Sequence, residues 1–228
     1  MGGLGQKGIF IMSYEYVSKK EYAPARKEIE DLIKKLHLEV KKLNKEFTFE
    51  HKLIGSGSRH LITRVVGGNQ GFDFDYNLIL NTQKHEWYPD YAKELIMKAL
   101  NNIVKGTNFD YPENSKSAIT LKVKDRKNSR IIHSVDLAIV YYPGNELDFN
   151  GYMFVKVTKN NGQLNYEWKR RSQSHNVDEK LAWLKDNVDN YWNKIRKEYL
   201  YLKNIRNNQG KRSFSIYLEA VNNIYNQY

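Results

Sequence analysis

The sequence predicts an α+β fold: a small mixed β-sheet flanked by helices and followed by a C-terminal helical segment. Apolar residues spaced three and four apart mark long helices near both ends of the chain. Between them lie short runs of alternating or continuous apolar residues bounded by turn formers, the pattern of strands. The order is helix, strands with one inserted helix, a hairpin, then helices.

Each element has its own signal. Glu21 to Asn44 is the first long helix, with Ile29, Ile33, Leu36, Val40 and Leu43 on one face. Pro24 suits its first turn, and Lys34, Lys35, Lys41, Lys42 and Lys45 load the half where cations complement the helix dipole. Phe47 to Ile54 alternates as a strand and delivers the chain to a Gly/Ser turn. A short amphipathic segment, a glycine-rich loop and a second strand ending at Leu80 come next. After a loop to Pro89, Asp90 to Lys105 is a helix with Leu95, Ile96, Ala99, Leu100 and Ile103 inward, stopped by Gly106. Residues 107–116 are a polar loop. Ser117 to Lys124 and Arg130 to Tyr142 are strands joined by a charged turn. Tyr152 to Lys159 and Gln163 to Lys169 form a hairpin around Asn160-Asn161-Gly162. From Val177 the period is helical to Tyr228, broken at 207–212, and Trp183 and Trp192 join Leu184 and Val188 on a stripe expected in the core.

The chemistry concentrates between Leu53 and Leu80. Asp73 and Asp75 lie two apart on the second strand, so they share a face with Cα atoms roughly 7 Å apart. Phe72, Phe74 and Tyr76 point to the opposite face and can enter a core. Two carboxylates side by side repel and call for a cation, and Mg²⁺ takes one or two carboxylates together with substrate phosphates. Upstream, Gly57-Ser58 and Thr63 form G-S-x-x-x-x-T, where glycine permits close backbone approach and amides with a hydroxyl can cradle a phosphate. A phosphate cradle beside a metal-carboxylate pair is the apparatus of phosphoryl or nucleotidyl transfer.

G-S-x-x-x-x-T followed by Phe72-Asp73-Phe74-Asp75-Tyr76 resembles the DNA polymerase beta-like nucleotidyltransferase superfamily, which includes CCA-adding enzymes, oligoadenylate synthetases and bacterial cyclic-oligonucleotide synthases. The resemblance implies a third acid on a later apolar strand, and Asp136 is the one acidic residue in Ile131 to Val140. The competing reading of Asp136 is a strand-edge residue turned to solvent. The resemblance further implies that Asp73, Asp75 and Asp136 hold two Mg²⁺ or Mn²⁺ ions. It makes Gly57, Ser58 and Thr63 phosphate contacts, with Lys203 and Ser215 (or Ser213) as further triphosphate contacts and Trp168 near the base. Its departures are a longer loop between Thr63 and Asp73, no proline close after the third acid, and a chain too short for the full C-terminal domain of the synthases. It implies a nucleotidyltransferase-type sheet in a catalytic domain at 13–172. A flexible leader at 1–12 precedes it, and a helical subdomain at 173–228, packing against the N-terminal helix, follows.

Composition sets the outer limits. The 228 residues can bury a substantial core, and the net charge of +11 suits polyanions: nucleotides, RNA, DNA or an anionic surface. Zero cysteines exclude disulfides and thiolate metal sites and are compatible with the cytoplasm. No apolar run is long enough to span a membrane. The histidines show no metal-ligand spacing, and the GSGS segment does not continue into G-K-[ST], which excludes a P-loop. The expected activity is transfer of a nucleoside monophosphate from an NTP to a hydroxyl of a nucleotide, an RNA end or a protein, with release of pyrophosphate. The alternatives are the same chemistry on a small antibiotic-type molecule, or a non-catalytic nucleic-acid-binding relative.

Overall fold

A computed structural model describes residues 13–82, 86–143, 151–172, 176–208 and 210–228. The leader expected at residues 1–12 lies outside the described residues. The chain divides into two compact units. One holds residues 17–63 and 69–176; the other holds residues up to 16, 64–68 and 177–228.

The larger unit is a sheet with helices on one face. Helix α1 (Lys19–Leu43) starts at Ser18, whose hydroxyl accepts the Glu21 amide at 3.3 Å. That cap sets the start two residues before the predicted one, so Pro24 falls inside the helix instead of in its first turn. The chain continues through β2 (Phe49–Ile54), the four-residue helix α2 (Gly55–Ser58), β4 (Phe72–Leu80) and α3 (Pro89–Ile103). It closes with β5 (Glu113–Asn114), β6 (Ile119–Asp125), β7 (Arg130–Tyr141), β8 (Gly151–Asn160) and β9 (Gln163–Ser172). Pro89 opens α3 at a position where the missing amide hydrogen costs nothing. The two-residue strand β5 lies within the segment read from sequence as loop.

The strand order is β2-β4-β7-β6-β5, with β8 on the far end of β7 and β9 on β8. Strands β4 and β7 run parallel, joined by the α3 crossover; the remaining pairs in this sheet are antiparallel. One face carries Phe72, Phe74, Tyr76 and Leu78 of β4 and Val135, Leu137 and Ile139 of β7, all buried. They pack with Ile29, Ile33 and Leu36 of α1 and Ala92, Ile96 and Leu100 of α3. The predicted apolar faces of both helices are the faces used. Gly71, at φ +61°, precedes β4 where a Cβ would strike the Ile132 carbonyl oxygen, so only glycine lets the two parallel strands close up. The β8–β9 hairpin turns at Asn161 and Gly162, both at positive φ, as the N-G signal requires.

The smaller unit contains α4 (Val177–Asn187), α5 (Tyr191–Asn204) and α6 (Ser213–Tyr225), with a short 3₁₀ turn at 206–208. Strand β1 (Tyr14–Tyr16) pairs with β3 (Thr63–Val65) in a two-stranded sheet. The backbone amide of Tyr14 donates to Asn204 Oδ1 at 2.6 Å, fastening β1 to α5. Buried Leu184, Ile195, Tyr199, Ile216, Ala220 and Val221 line its interior. Trp183 corrects an expectation: it is 37% exposed and packs edge-on against Tyr225, because the buried position of α4 is the neighbouring Leu184. Among the described residues, no helix is long and apolar enough to cross a membrane.

Candidate active site

Two acidic residues far apart in sequence meet by strand register. Asp75 on β4 stands opposite Asp136 on the parallel strand β7, and Asp73 stands opposite Ser134. Neighbouring strands are about 4.8 Å apart, so the two carboxylates leave adjacent backbones on the same face. Phe74 and Tyr76 alternate into the helix-covered core, which turns Asp73 and Asp75 to the other side. Asp136 is on a central strand, between β4 and β6, so the strand-edge reading fails.

The electrostatics follow from this crowding. Asp75 is half-buried, and its pKa is raised to about 7 by burial first, then by the charges of Asp73 and Asp136. Hard carboxylate oxygens with surplus negative charge fit a divalent cation such as Mg²⁺ or Mn²⁺. Among the described residues, no group of three histidine, aspartate or glutamate side chains is arranged to hold a metal ion.

Asp136 is held from the opposite side. Thr120 of β6 pairs with it in register, and the Thr120 hydroxyl donates to Asp136 Oδ1 at 2.5 Å. Ser115 Oγ lies 2.7 Å from Thr120 Oγ1. A hydroxyl has one hydrogen, and that of Thr120 goes to the carboxylate, so Ser115 is the donor to Thr120. Behind this pair, the buried Lys93 of α3 donates to the carbonyl of Ala118 at 2.6 Å. Burial pulls the Lys93 pKa down to about 8, opposed by the charge of Asp136.

The Gly/Ser turn reaches the same place from the other edge. Ile54, the last residue of β2, pairs with Asp75, and the next residue is Gly55 at φ +64°. A Cβ on Gly55 would collide with Asp75 Oδ2. Ser58 is exposed at the end of α2, its hydroxyl donating to the Gly55 carbonyl at 3.0 Å, and Arg59 Nη1 donates to the same oxygen at 2.9 Å. Gly57 is buried, its Cβ position 3.0 Å from Leu53 Cδ1 and 3.2 Å from Phe74 Cδ1. The glycine against the acids is therefore Gly55, with Gly57 packing beneath the turn. Thr63 is half-buried at the start of β3.

Of the remaining predicted contacts, Trp168 takes the other face of the sheet, and Lys203 and Ser215 belong to the helical unit. Trp168 packs with Tyr141 at 4.8 Å between ring centroids, on the helix-covered face opposite the acids, and its indole N–H donates to the Trp87 carbonyl at 2.9 Å. Pairing with Val155, which shares that face, fixes this side. Trp168 is thus a packing residue of the sheet. Lys203 and Ser215 belong to the helical unit and the acids to the sheet unit. Lys203 lies over the Tyr14 ring at 4.4 Å; Ser215 is exposed in the first turn of α6. Sequence reading missed Gly55, Ser115, Thr120 and Lys93. Lys93 had a signal, since it precedes Ile96 and Leu100 by three and seven residues and so shares their inward stripe.

Solved structures share this architecture. The Vibrio cholerae DncV cyclic AMP-GMP synthase, described as a prokaryotic cGAS homolog, superposes with a TM-score of 0.59 at 14% identity, over 90% of this chain and 66% of that one. Its 3'-deoxy GTP bound form gives a TM-score of 0.60 at 13% identity over 94% and 68% of the two chains. Its complex with the linear intermediate 5' pppA(3',5')pG gives 0.56 at 14% identity. The chain thus spans about two thirds of the length of the synthase it matches. No protein-family model matches the sequence, and no curated protein does.

Proposed function

We infer, from its likeness to these solved synthases, that the chain has the fold of the polymerase beta-like nucleotidyltransferases. From that premise we propose that it is a metal-dependent nucleotidyltransferase, moving a nucleoside monophosphate from an NTP to a hydroxyl on a second nucleotide or an RNA end. The acceptor oxygen forms a bond to the α-phosphorus as the bond from that phosphorus to the pyrophosphate oxygen breaks; the acceptor proton is lost and pyrophosphate leaves. The observation that carries the reading is the opposition of Asp75 and Asp136 across two parallel strands, with Asp73 on the same face.

Asp73, Asp75 and Asp136 would hold the ions, which when bound supply charge neutralisation for the triphosphate and acidity for the attacking hydroxyl. The protein's own part is to gather three like charges on a rigid sheet and to keep Asp136 oriented through Thr120. Gly55 leaves the room that the Asp75 carboxylate occupies, and the exposed Ser58 would meet phosphate oxygens. The solved neighbours include forms with bound GTP and 3'-deoxy ATP, which supports an NTP as donor here.

The test is incubation with each α-³²P-labelled NTP and Mg²⁺ or Mn²⁺, alone and with RNA. Label in a new nucleotide product formed from NTPs alone supports a nucleotide acceptor; label found only in RNA supports end addition. No product with any NTP, together with no thermal stabilisation by NTP and metal, would refute the proposal.

A further inference from the structure

Lys93 is 1% exposed, a rare state for a lysine, and nothing in the reaction above uses it. Its neighbours on the inner face of α3 are Ala92, Ile96 and Ala99. An apolar side chain would pack there without the several kcal/mol that burying an ammonium costs. Packing alone therefore does not account for the charge. Its hydrogen bonds do: Nζ donates to the carbonyls of Ala118 at 2.6 Å and Ser115 at 3.4 Å, the two ends of the turn between β5 and β6. The same turn is closed by the Ser115 amide on the Ala118 carbonyl at 3.1 Å.

That turn leads to the third acid. Ser115 supplies the hydroxyl that donates to Thr120, and Thr120 supplies the one that donates to Asp136 Oδ1. We propose that Lys93 is a positioning residue for Asp136: by clamping the 115–118 turn it fixes the Ser115–Thr120 hydroxyl pair that keeps this carboxylate facing Asp75. The chain of contacts runs from a helix on one face of the sheet, around the turn, to the acids on the other. Its consequence for catalysis rests on the nucleotidyltransferase reading; its consequence for the Asp136 side chain does not.

The test separates the two. Full-length protein with ¹³Cγ-labelled aspartate, without metal or nucleotide and at one fixed neutral pH, gives an Asp136 resonance assigned by its loss in D136N. T120V removes the direct hydrogen bond and moves this resonance. K93M is expected to move it in the same direction, and K93R to return it towards the wild-type position. A K93M resonance that stays at the wild-type position overturns the proposal. In turnover, K93M and T120V each lower kcat by about 10- to 100-fold, the range for residues that orient metal ligands. KM for NTP stays within about two-fold, and the double variant is no worse than the poorer single one. A rise in KM at unchanged kcat, or losses that multiply, also overturns it. If the wild-type protein makes no product, the nucleotidyltransferase reading fails while the resonance still decides the positioning role. Should K93M not fold, S115A breaks the chain one atom further on and leaves the lysine in place; an Asp136 resonance unmoved in S115A is then the overturning result.

Discussion

Asp75 and Asp136 stand directly opposite one another on adjacent parallel strands, although 61 positions separate them in the sequence. Parallel pairing demands a crossover, and α3 with the β5–β6 hairpin provides it, so helix and hairpin both serve to bring the third acid beside the second. Asp136→Ala removes one carboxylate and leaves the Gly/Ser turn untouched. Transfer from a labelled NTP should fall at least about 100-fold, in line with losses on deleting a single charge-stabilising group at a reacting centre. NTP binding, followed by equilibrium dialysis with metal, should change little. A D136A protein that still transfers label would show that Asp136 has no part in the chemistry.

Asp75 predicts how pH and metal are linked. Its pKa is about 7 in the folded chain against an ordinary value of 3.8, so the folded state holds this proton more tightly than the unfolded one. Stability from this group is therefore greatest in acid and is lost as pH rises from about 4 to about 7. Asp75→Asn should raise the metal-free melting temperature at neutral pH and have no such effect near pH 4. Metal uptake in the wild type needs the ionised form, so apparent Mn²⁺ affinity should climb with pH up to about 7 and then level off. Calorimetry in buffers of differing ionisation enthalpy should register proton release on Mn²⁺ binding to wild type, and none from this site in D75N.

The acid pair on β4 could be read from the sequence because strand alternation is local: Phe72, Phe74 and Tyr76 inward put Asp73 and Asp75 outward. Asp136 could be named because the family resemblance implies a third acid on an apolar strand and it is alone in its run, but its partner depended on register, which is a property of the whole sheet. Gly55 was hidden for another reason. G-S-G-S offers two glycines, and only the β2–β4 pairing decides that the first meets Asp75 and the second packs on Phe74. Trp168 misled because an aromatic residue late in the chain says nothing about which face of the sheet it takes. Ser115 and Thr120 look like ordinary polar positions of a loop and an alternating strand until their hairpin folds beside β7.

Two glycines of like backbone conformation give a controlled comparison. Gly55 and Gly67 have φ of +64° and +67°, but among the described residues a Cβ on Gly67 meets nothing within 4 Å whereas one on Gly55 strikes Asp75 Oδ2. Alanine at either position should cost about 1–2 kcal/mol of stability from the left-handed backbone alone. Only Gly55→Ala should add a displaced Asp75 carboxylate, seen as weakened Mn²⁺ binding and a loss of transfer beyond that of G67A. Equal metal affinity in the two variants would remove Gly55 from the site.

His133 predicts a pH dependence of the opposite sign. It is buried on β7 between the rings of Phe72 and Phe109, neither ring nitrogen has a hydrogen-bond partner among the described residues, and Glu28 Oε2 stands 3.6 Å from Nε2. Burial lowers its pKa below the ordinary 6.5, with the Glu28 charge pulling the other way. The unfolded chain therefore binds a proton that the folded chain resists, and stability from this group is lost as pH falls below about 6.5. Replacing His133 by Phe removes the titrating ring and keeps the aromatic packing. Urea unfolding of the variant from pH 7 down to pH 5 should show a shallower loss of stability than the wild type. Parallel curves over that interval would mean that His133 takes up its proton equally in the folded and unfolded chain, the Glu28 charge cancelling the effect of burial.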